Sequence, residues 1–271
     1  MAPLKALVIG AHPDDCELLA AGTAALWHQR GDKVRFLSMT DGGAGHHEMT
    51  SSELAQRRAD ESRRSAAVLG IESEIYGVND GAVTPSIELR DGLIRRIRAF
   101  APDLILTHRT SDYHPDHRHT GALVQDTAYL VTVPLICPDV PPLRHNPVYA
   151  YLFDPFTKPA PFRVDVAVNI DPVMPLKWSM LHEHASQLYE WLPYIEGFAE
   201  PVPANSAQKR DWLERTWEPY LKRAVAPARS QLSATYGADA SAKVQFTEAF
   251  EISEFGRQPM PNELKTLFPI P

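Results

Sequence analysis

Alternating strand and helix patterns predict an α/β fold with a mostly parallel sheet. Short apolar runs typical of buried strands, such as Leu4–Ile9 and Leu104–Thr107, recur between longer segments with helical periodicity. Parallel strands need long crossover connections, so strands that alternate with helices indicate βαβ units. The 271 residues suit one large domain. We therefore expect a single Rossmann-like domain with helices on both faces of the sheet.

The first half of the chain supplies the clearest elements. The first apolar run ends at Gly10, and the following segment Cys16–Arg30 has its apolar residues on one helical side. Leu54–Leu69 is amphipathic with arginines on its outer face, and Gly70 is a typical helix-ending residue. The predicted strands here are Leu4–Ile9, Val34–Met39, Ile75–Tyr76 and Leu104–Thr107, and the predicted helices are Cys16–Arg30, Leu54–Leu69, Ile87–Phe100 and His119–Leu130.

The second half is less regular because it is rich in proline. Proline removes a backbone donor, so we expect the Pro-rich stretch 133–161 to lie as irregular loops over the sheet. The tail Gln258–Pro271 contains four prolines and is expected to be extended. Further strands are predicted at Val148–Phe153 and Val164–Ile170, and helices at Val173–Leu192 and Ala207–Ala226. We expect residues 1–132 to form the core of one domain that residues 133–271 complete.

Composition and charge exclude several classes of protein. Hydrophobic residues make up 44% of the chain and charged residues 23%, which is typical of a globular protein with a real core. The net charge of -7 argues against non-specific nucleic-acid binding, which needs clustered basic residues. Two cysteines without a CxxC motif favour a reducing, cytoplasmic location. The apolar runs are too short for a signal peptide or a membrane span.

Two short motifs at the ends of predicted strands carry the chemistry. His-Pro-Asp-Asp at 12–15 follows strand 1, and His-Pro-Asp-His at 114–117 follows strand 4. In a doubly wound sheet these strands are neighbours where the winding reverses, and ligands bind in the crevice outside that point. We therefore predict that the two motifs face each other across one pocket at the carboxyl ends of strands 1 and 4.

The residue types in this pocket match a metal site. Imidazole nitrogen and carboxylate oxygen suit zinc, or Fe²⁺ and other first-row divalent metals. A catalytic zinc typically has three protein ligands and leaves a position for water. His12, one of the two adjacent acids and one of the two later histidines would satisfy that count. The remaining acid could act as a base, and the remaining histidine could stabilise an oxyanion or protonate a leaving amine. The spacing leaves open which acid and which histidine bind the metal.

The paired motifs resemble the LmbE/PIG-L family of zinc-dependent N-deacetylases. That family includes N-acetylglucosaminyl-phosphatidylinositol deacetylases and the deacetylases of mycothiol and bacillithiol synthesis. The resemblance extends over residues 4 to 130. Its further matches are Thr40-Asp41-Gly42, Arg58 with Glu61, Asp80-Gly81 and, more weakly, His184-x-Ser186-Gln187.

The resemblance implies a role for each motif residue. The implied zinc ligands are His12, Asp15 and His117. Asp14 becomes the general base, and His114 becomes the charged group that stabilises the oxyanion or protonates the amine.

Three further residues receive supporting roles from the resemblance. Asp116 would orient a motif histidine. Arg58 and Asp80 match positions that bind substrate hydroxyls or phosphate-like groups.

The implied activity is removal of an acetyl group from the N-acetyl amine of a GlcNAc-type sugar or conjugate by a metal-activated water. A metal-dependent esterase or phosphoesterase is one alternative, but phosphoesterases often bridge two metals and the sequence supplies one evident three-ligand set. A non-catalytic carbohydrate-binding module is another, and the intact Asp14 and His114 argue against it. We expect a small-molecule partner, no nucleic acid and no membrane span. The Pro-rich tail could reach a second copy in a homo-oligomer.

Overall fold

A computed structural model describes residues 3–198 and 200–271, and its centre is one sheet. The strands are β1 (Lys5–Gly10), β2 (Lys33–Thr40), β3 (Glu72–Val78), β4 (Leu104–Thr107), β5 (Val148–Leu152), β6 (Val166–Asn169) and β7 (Thr247–Gly256). Their order is β3-β2-β1-β4-β5-β7-β6. Strands β1 to β5 run parallel, and β7 runs antiparallel to β5 and β6. The predicted mostly parallel sheet is confirmed, and β1 pairs directly with β4.

Helices cover both faces of this sheet. They are α1 (Asp15–Arg30), α2 (Ser51–Leu69), α3 (Ile87–Phe100), α4 (Pro115–Leu130), α5 (Met174–Glu183), α6 (Leu192–Glu196), α7 (Ser206–Leu221), α8 (Val225–Tyr236), α9 (Ala238–Ser241) and α10 (Leu264–Leu267). Alternate β1 residues face opposite sides: Val8 packs in the apolar cluster that includes α1 and α5, and Ile9 in the cluster with α3 and α4. Every helix among the described residues is too short or too polar to cross a lipid bilayer.

Helix α4 begins earlier than predicted, and this changes the placement of the second motif. The predicted start was His119, but α4 begins at Pro115. Proline is favoured at the first helical position because its missing N–H needs no partner there. The side chain of His114 caps the helix by accepting from the backbone N–H of Asp116 at 3.2 Å. His117 therefore lies in the first turn of α4, near the carboxyl end of β4.

The C-terminal third departs most from the predicted elements. The predicted helix Val173–Leu192 is divided into α5, a π-helical turn at Ser186–Trp191 and α6. Strand β7, which was not predicted, lies between β5 and β6. The predicted extended tail is wrong in part, because it contains a 3₁₀ turn and α10, and it buries Leu267 and Phe268. Its prolines flank the helix and do not interrupt it, so they are compatible with it.

A buried ion pair joins α1, α5 and β7. Lys177 Nζ lies 2.6 Å from Glu248 Oε1, and both side chains are almost fully buried. Lys177 also donates to the carbonyl of Leu18 at 2.8 Å. The Glu248 carboxylate accepts the backbone N–H groups of Gly22 (2.9 Å) and Thr23 (2.6 Å). Charge and hydrogen-bonding capacity are therefore matched at this contact.

Glu248→Gln is expected to destabilise the fold, because it leaves the buried Lys177 ammonium without its counter-charge. Breaking one partner of a buried pair typically costs about 3–5 kcal/mol. Denaturant unfolding would measure the change, and the double variant Lys177→Met/Glu248→Gln should recover part of the loss. An unfolding midpoint for Glu248→Gln equal to that of the unsubstituted protein would contradict this account.

Candidate active site

Three predicted ligands converge where the loop after β1 meets the first turn of α4. His12 Nδ1 lies 3.2 Å from His117 Nε2 and 3.5 Å from Asp15 Oδ2. His117 Nε2 lies 3.5 Å from Asp15 Oδ1. Two imidazole nitrogens and a carboxylate that face one another at these distances form a donor set suited to zinc. The residues present therefore fit a divalent metal ion.

The turn after β1 is fixed by the Asp15 side chain. Its Oδ2 accepts the backbone N–H groups of Ala11 at 2.9 Å and His12 at 2.8 Å. A side chain at position 10 would meet Asp15 Cβ at 2.7 Å and Cys16 Sγ at 3.2 Å, so the close approach requires Gly10. These contacts aim the carboxylate of Asp15 toward the imidazoles and explain the glycine that ends β1.

Two carboxylates contact His12 at its other ring nitrogen, Nε2, which points away from Asp15 and His117. His12 Nε2 lies 3.2 Å from Asp80 Oδ1 and 3.5 Å from Asp116 Oδ2. In the neutral ring, which is the form that binds a metal, a proton on Nε2 directed to these acids leaves the Nδ1 lone pair toward Asp15 and His117. Burial opposes protonation of His12, but hydrogen bonds to Asp116, Asp15 and Asp80 outweigh it and raise its pKa well above the usual value. For Asp80, burial alone would raise the pKa of the carboxyl group. The hydrogen bond and the charge of His12 outweigh burial, and the pKa of Asp80 is lowered to about 2.

Asp116 and Asp80 are themselves held by backbone groups. Asp116 accepts the N–H groups of Gly81 at 2.7 Å and Val83 at 3.1 Å. Asp80 Oδ2 accepts the N–H of Ala44 at 3.0 Å. The loops after β2 and β3 therefore orient both acids against His12, and the histidine-orienting role of Asp116 stays a prediction.

Two site residues were missed by the sequence analysis, His108 and Asp112. His108 Nε2 lies 3.2 Å from Asp15 Oδ2, and its ring stacks on His117 with centroids 4.1 Å apart. Asp112 Oδ2 lies 3.1 Å from His117 Nδ1 and so orients that ring. Burial and the charge of His117 lower the pKa of His108. Only their positions in the sequence could have indicated these two residues, because His108 directly follows β4 and Asp112 precedes the second motif.

The adjacent acids Asp14 and Asp15 have different surroundings. Asp14 Oδ1 lies 3.1 Å from Arg58 Nη2, and both residues are buried. Arg58 also donates to the carbonyls of Gly42 at 3.2 Å and Pro13 at 3.4 Å. Arg58 thus contacts the turn after β1 and the loop after β2. The two adjacent acids therefore differ in their partners: Asp14 faces a guanidinium, and Asp15 faces imidazoles.

His114 lies beside His12 and His117, and one of its ring nitrogens already accepts a hydrogen bond. Its ring centroid is 4.6 Å from that of His12 and 5.1 Å from that of His117. Burial and the charges of these two histidines lower the pKa of His114. Because Nδ1 accepts the N–H of Asp116, the hydrogen-bond pattern assigns the proton of the neutral ring to Nε2. His114 therefore offers an N–H donor on its other side.

The segment that contains His184 and Ser186, the weaker match to the family, contacts the two helices that carry site residues. His184 Nε2 lies 3.0 Å from Glu17 Oε1, and both side chains are buried. Burial lowers the pKa of His184, but the charge of Glu17 outweighs it and raises that pKa. Ser186 donates through its backbone N–H and its hydroxyl to Glu61, at 2.9 and 2.6 Å. These contacts tie α1 and α2, which carry Asp15 and Arg58, to the segment after α5.

Comparison with known sequences places these motifs in a family. Residues 7–128, from β1 into α4, match the family model described as GlcNAc-PI de-N-acetylase. The diacetylchitobiose deacetylase of Thermococcus kodakarensis is 31% identical over 209 residues, 72% of this chain and 76% of that protein. The 4-oxalmesaconate hydratase of Pseudomonas putida is 25% identical over 199 residues, 70% of this chain and 76% of that protein.

Comparison with solved structures extends the likeness along nearly the whole chain. The N,N'-diacetylchitobiose deacetylase of Pyrococcus horikoshii aligns with a TM-score of 0.70 at 24% identity, covering 97% of this chain and 86% of that one. At this identity the likeness concerns the fold. Together with the family model and the 31% identical relative, both motifs and their strand context show that the chain belongs to the PIG-L (LmbE) family of de-N-acetylases.

Proposed function

We propose that this protein is a metal-dependent hydrolase that removes the acetyl group from the N-acetyl amine of a GlcNAc-type sugar or sugar conjugate. The observation that carries the proposal is the convergence of His12, Asp15 and His117 beside a separate acid, Asp14, and a separate imidazole, His114. Membership of a de-N-acetylase family and the 31% identical deacetylase support amide hydrolysis as the chemistry.

We assign the metal to His12, Asp15 and His117, with zinc as the ion and Fe²⁺ as the alternative. Zinc supplies Lewis acidity when bound, which polarises a carbonyl oxygen and makes a water more acidic at neutral pH. Asp80 and Asp116 orient His12. Asp112 orients His117 in the same way, and His108 lies close enough to Asp15 to hold its carboxylate.

The chain's own residues then move the protons. Asp14 accepts a proton from the attacking water through the oxygen that Arg58 does not hold. The Nε2–H of His114 donates to the oxygen of the tetrahedral intermediate, where negative charge develops. As the carbon–nitrogen bond breaks, Asp14 returns its proton to the nitrogen, so that water and amide give acetic acid, which ionises to acetate, and a free amine.

Arg58 and Asp80 act in this proposal through their neighbours. Arg58 fixes Asp14, and Asp80 fixes His12. Both side chains are engaged inside the site, so positioning is the role that their contacts support. Their direct contact with substrate hydroxyls or phosphate-like groups stays a prediction.

Asp15→Ala and His117→Ala are each expected to reduce bound zinc from one equivalent to near none, because each removes one of three donors. Elemental analysis of the purified variants would measure this. His119→Ala is the matched control, since His119 lies on the same helix but contacts the carbonyl of Val83, and it should keep its zinc. Full zinc occupancy in both ligand variants would overturn the assignment.

The activity itself is tested by acetate release from a panel of N-acetylglucosamine conjugates. Enzyme as purified, chelated and restored with zinc should show activity that disappears and returns. O-acetyl and phosphate esters would test the esterase alternatives. The compound 4-oxalmesaconate would test the hydration chemistry named for the 25% identical relative. Turnover of one of these, with no acetate released from any amide, would overturn the proposal.

A further inference from the structure

The loop between β2 and α2, residues 41–50, is hydrogen-bonded to two different parts of the candidate active site. The carbonyl of Gly42 accepts from Arg58 at 3.2 Å, and Arg58 holds the proposed base. Two residues later, the N–H of Ala44 donates to Asp80 at 3.0 Å, and Asp80 contacts a proposed metal ligand. The position of this one loop therefore influences both the base and the metal site.

The loop lies so close to Arg58 that a small shift would change the geometry on this side. Gly42 has a φ of +66°, and a Cβ atom at this position would lie 2.6 Å from Arg58 Nη1. Glycine permits both the left-handed backbone and the close approach. A displacement of the loop by about 1 Å would alter the contact between Arg58 and Asp14, and displacements of that size can lower a rate by about 100-fold.

The outer part of the loop is held by one carboxylate, Glu190 of the π-helical turn. Glu190 Oε2 lies 3.0 Å from His46 Nε2, and the His46 side chain is 2% exposed. His46 Nδ1 accepts the N–H groups of Glu48 at 3.1 Å and Met49 at 3.3 Å, so the proton of the neutral ring lies on Nε2 and is donated to Glu190. The imidazole of His46 therefore ties the loop to Glu190.

Glu190 is itself fixed by α2. Arg57 Nη1 and Nη2 donate to its two oxygens at 2.7 and 2.6 Å, and a bidentate pair of this kind sets the direction of the carboxylate. Arg57 Nε lies 3.1 Å from the buried Glu61. Burial alone would raise the pKa of Glu190, but the hydrogen bonds of Arg57 and His46 outweigh it and lower that pKa. Glu190 is therefore an ionised group in a fixed position.

We propose that Glu190 is a positioning residue for the reaction, and that it acts by holding His46 and hence the loop between β2 and α2. Through the loop it places the metal ligand His12 and the base Asp14. The inference rests on the proposed function, which gives these two residues their roles. Because Glu190 acts through the loop, its removal should weaken zinc binding and lower kcat, and it should leave KM nearly unchanged.

The test compares Glu190→Gln with the unsubstituted protein in two measurements. Glutamine has the shape of glutamate, but its amide N–H groups must face an N–H of Arg57 or of His46, so one of these contacts is lost. We expect the zinc dissociation constant, measured by chelator competition, to rise about tenfold, and kcat of the zinc-saturated protein to fall about tenfold. The loss is partial because Gln187 still donates to the carbonyl of Gly45 at 3.1 Å.

Glu183→Gln is the matched control, because it removes an ion pair with Arg64 at 2.8 Å between α2 and α5 without touching the loop. It should leave both values unchanged. A double-mutant cycle tests the route to the metal. In an Asp80→Ala background the loop no longer has a carboxylate to place against His12, so Glu190→Gln should not weaken zinc binding further.

The outcomes separate this inference from the proposed function. Zinc affinity is measured without substrate, so this arm is decided whatever compound the enzyme turns over. If Glu190→Gln lowers only the unfolding midpoint and keeps its zinc affinity and kcat, the contact is structural alone and the inference is overturned. An equal loss of zinc affinity with and without Asp80 would overturn the route through that residue. If Glu190→Gln does not fold, Glu190→Asp keeps the charge on a shorter side chain. A smaller change in the same direction would then support the inference, and no change would overturn it.

Discussion

Asp14→Asn is expected to lose most acetate release while it keeps bound zinc. The asparagine has the same shape as aspartate, and its carbonyl oxygen can still accept from Arg58, so the turn should persist. It cannot accept a proton from water at neutral pH, however, and loss of a general base typically lowers kcat by about 10²–10⁴-fold. Steady-state kinetics with elemental analysis of the same preparation would measure both quantities.

The neighbouring acid gives the matched control. Asp15→Asn alters a carboxylate that faces imidazoles and two backbone N–H groups, and it should lose zinc together with activity. The two adjacent substitutions thus have different signatures. Unchanged kcat in Asp14→Asn would remove Asp14 from the reaction, and zinc lost from Asp14→Asn but retained in Asp15→Asn would exchange their roles.

The sequence motifs alone could not tell these two acids apart. Both follow the same strand in the same turn, and spacing is equally compatible with either as ligand. The structure distinguishes them by the direction of their side chains. Asp15 accepts hydrogen bonds from backbone N–H groups of its own turn, whereas Asp14 pairs with Arg58 from α2. Arg58 is distant in sequence, so this contact had no local signal.

The core of the fold was predictable because its pattern is local. Helix Ile87–Phe100 and strand Leu104–Thr107 have the predicted bounds, and each has a clear periodicity or apolar run. Strand β7 was missed because its place depends on pairing with β5 and β6, which are far away in sequence. His108 and Asp112 were missed because neither belongs to a recognisable motif. Their place in the site becomes evident only in the folded protein, where β4 pairs with β1.

The Pro-rich segment after α4 shows how one buried side chain can organise a region whose own pattern is irregular. Arg98, in the last turn of α3, is 4% exposed. Six backbone carbonyls lie within hydrogen-bond distance of its guanidinium, so that one of its five N–H groups is shared: those of Leu130 and Val131 (3.0 Å each), Val133 (2.8 Å), Ile136 (2.6 Å), Cys137 (2.9 Å) and Val140 (3.0 Å). Pro134 and Pro138 lack N–H groups, so Arg98 supplies donors that the segment cannot supply itself.

Arg98→Met is therefore expected to destabilise the protein severely, by about 3–5 kcal/mol, because buried carbonyls lose their donors together. Denaturant unfolding would measure the loss. Arg95→Met is the matched control, since Arg95 lies one turn earlier on α3 and pairs with Asp139 at the surface, where ion pairs contribute little. If Arg98→Met does not fold, Arg98→Lys, which keeps the charge but has fewer donors, should unfold at an intermediate denaturant concentration. Equal midpoints for the Arg98 and Arg95 variants would mean that the segment holds its shape without the guanidinium.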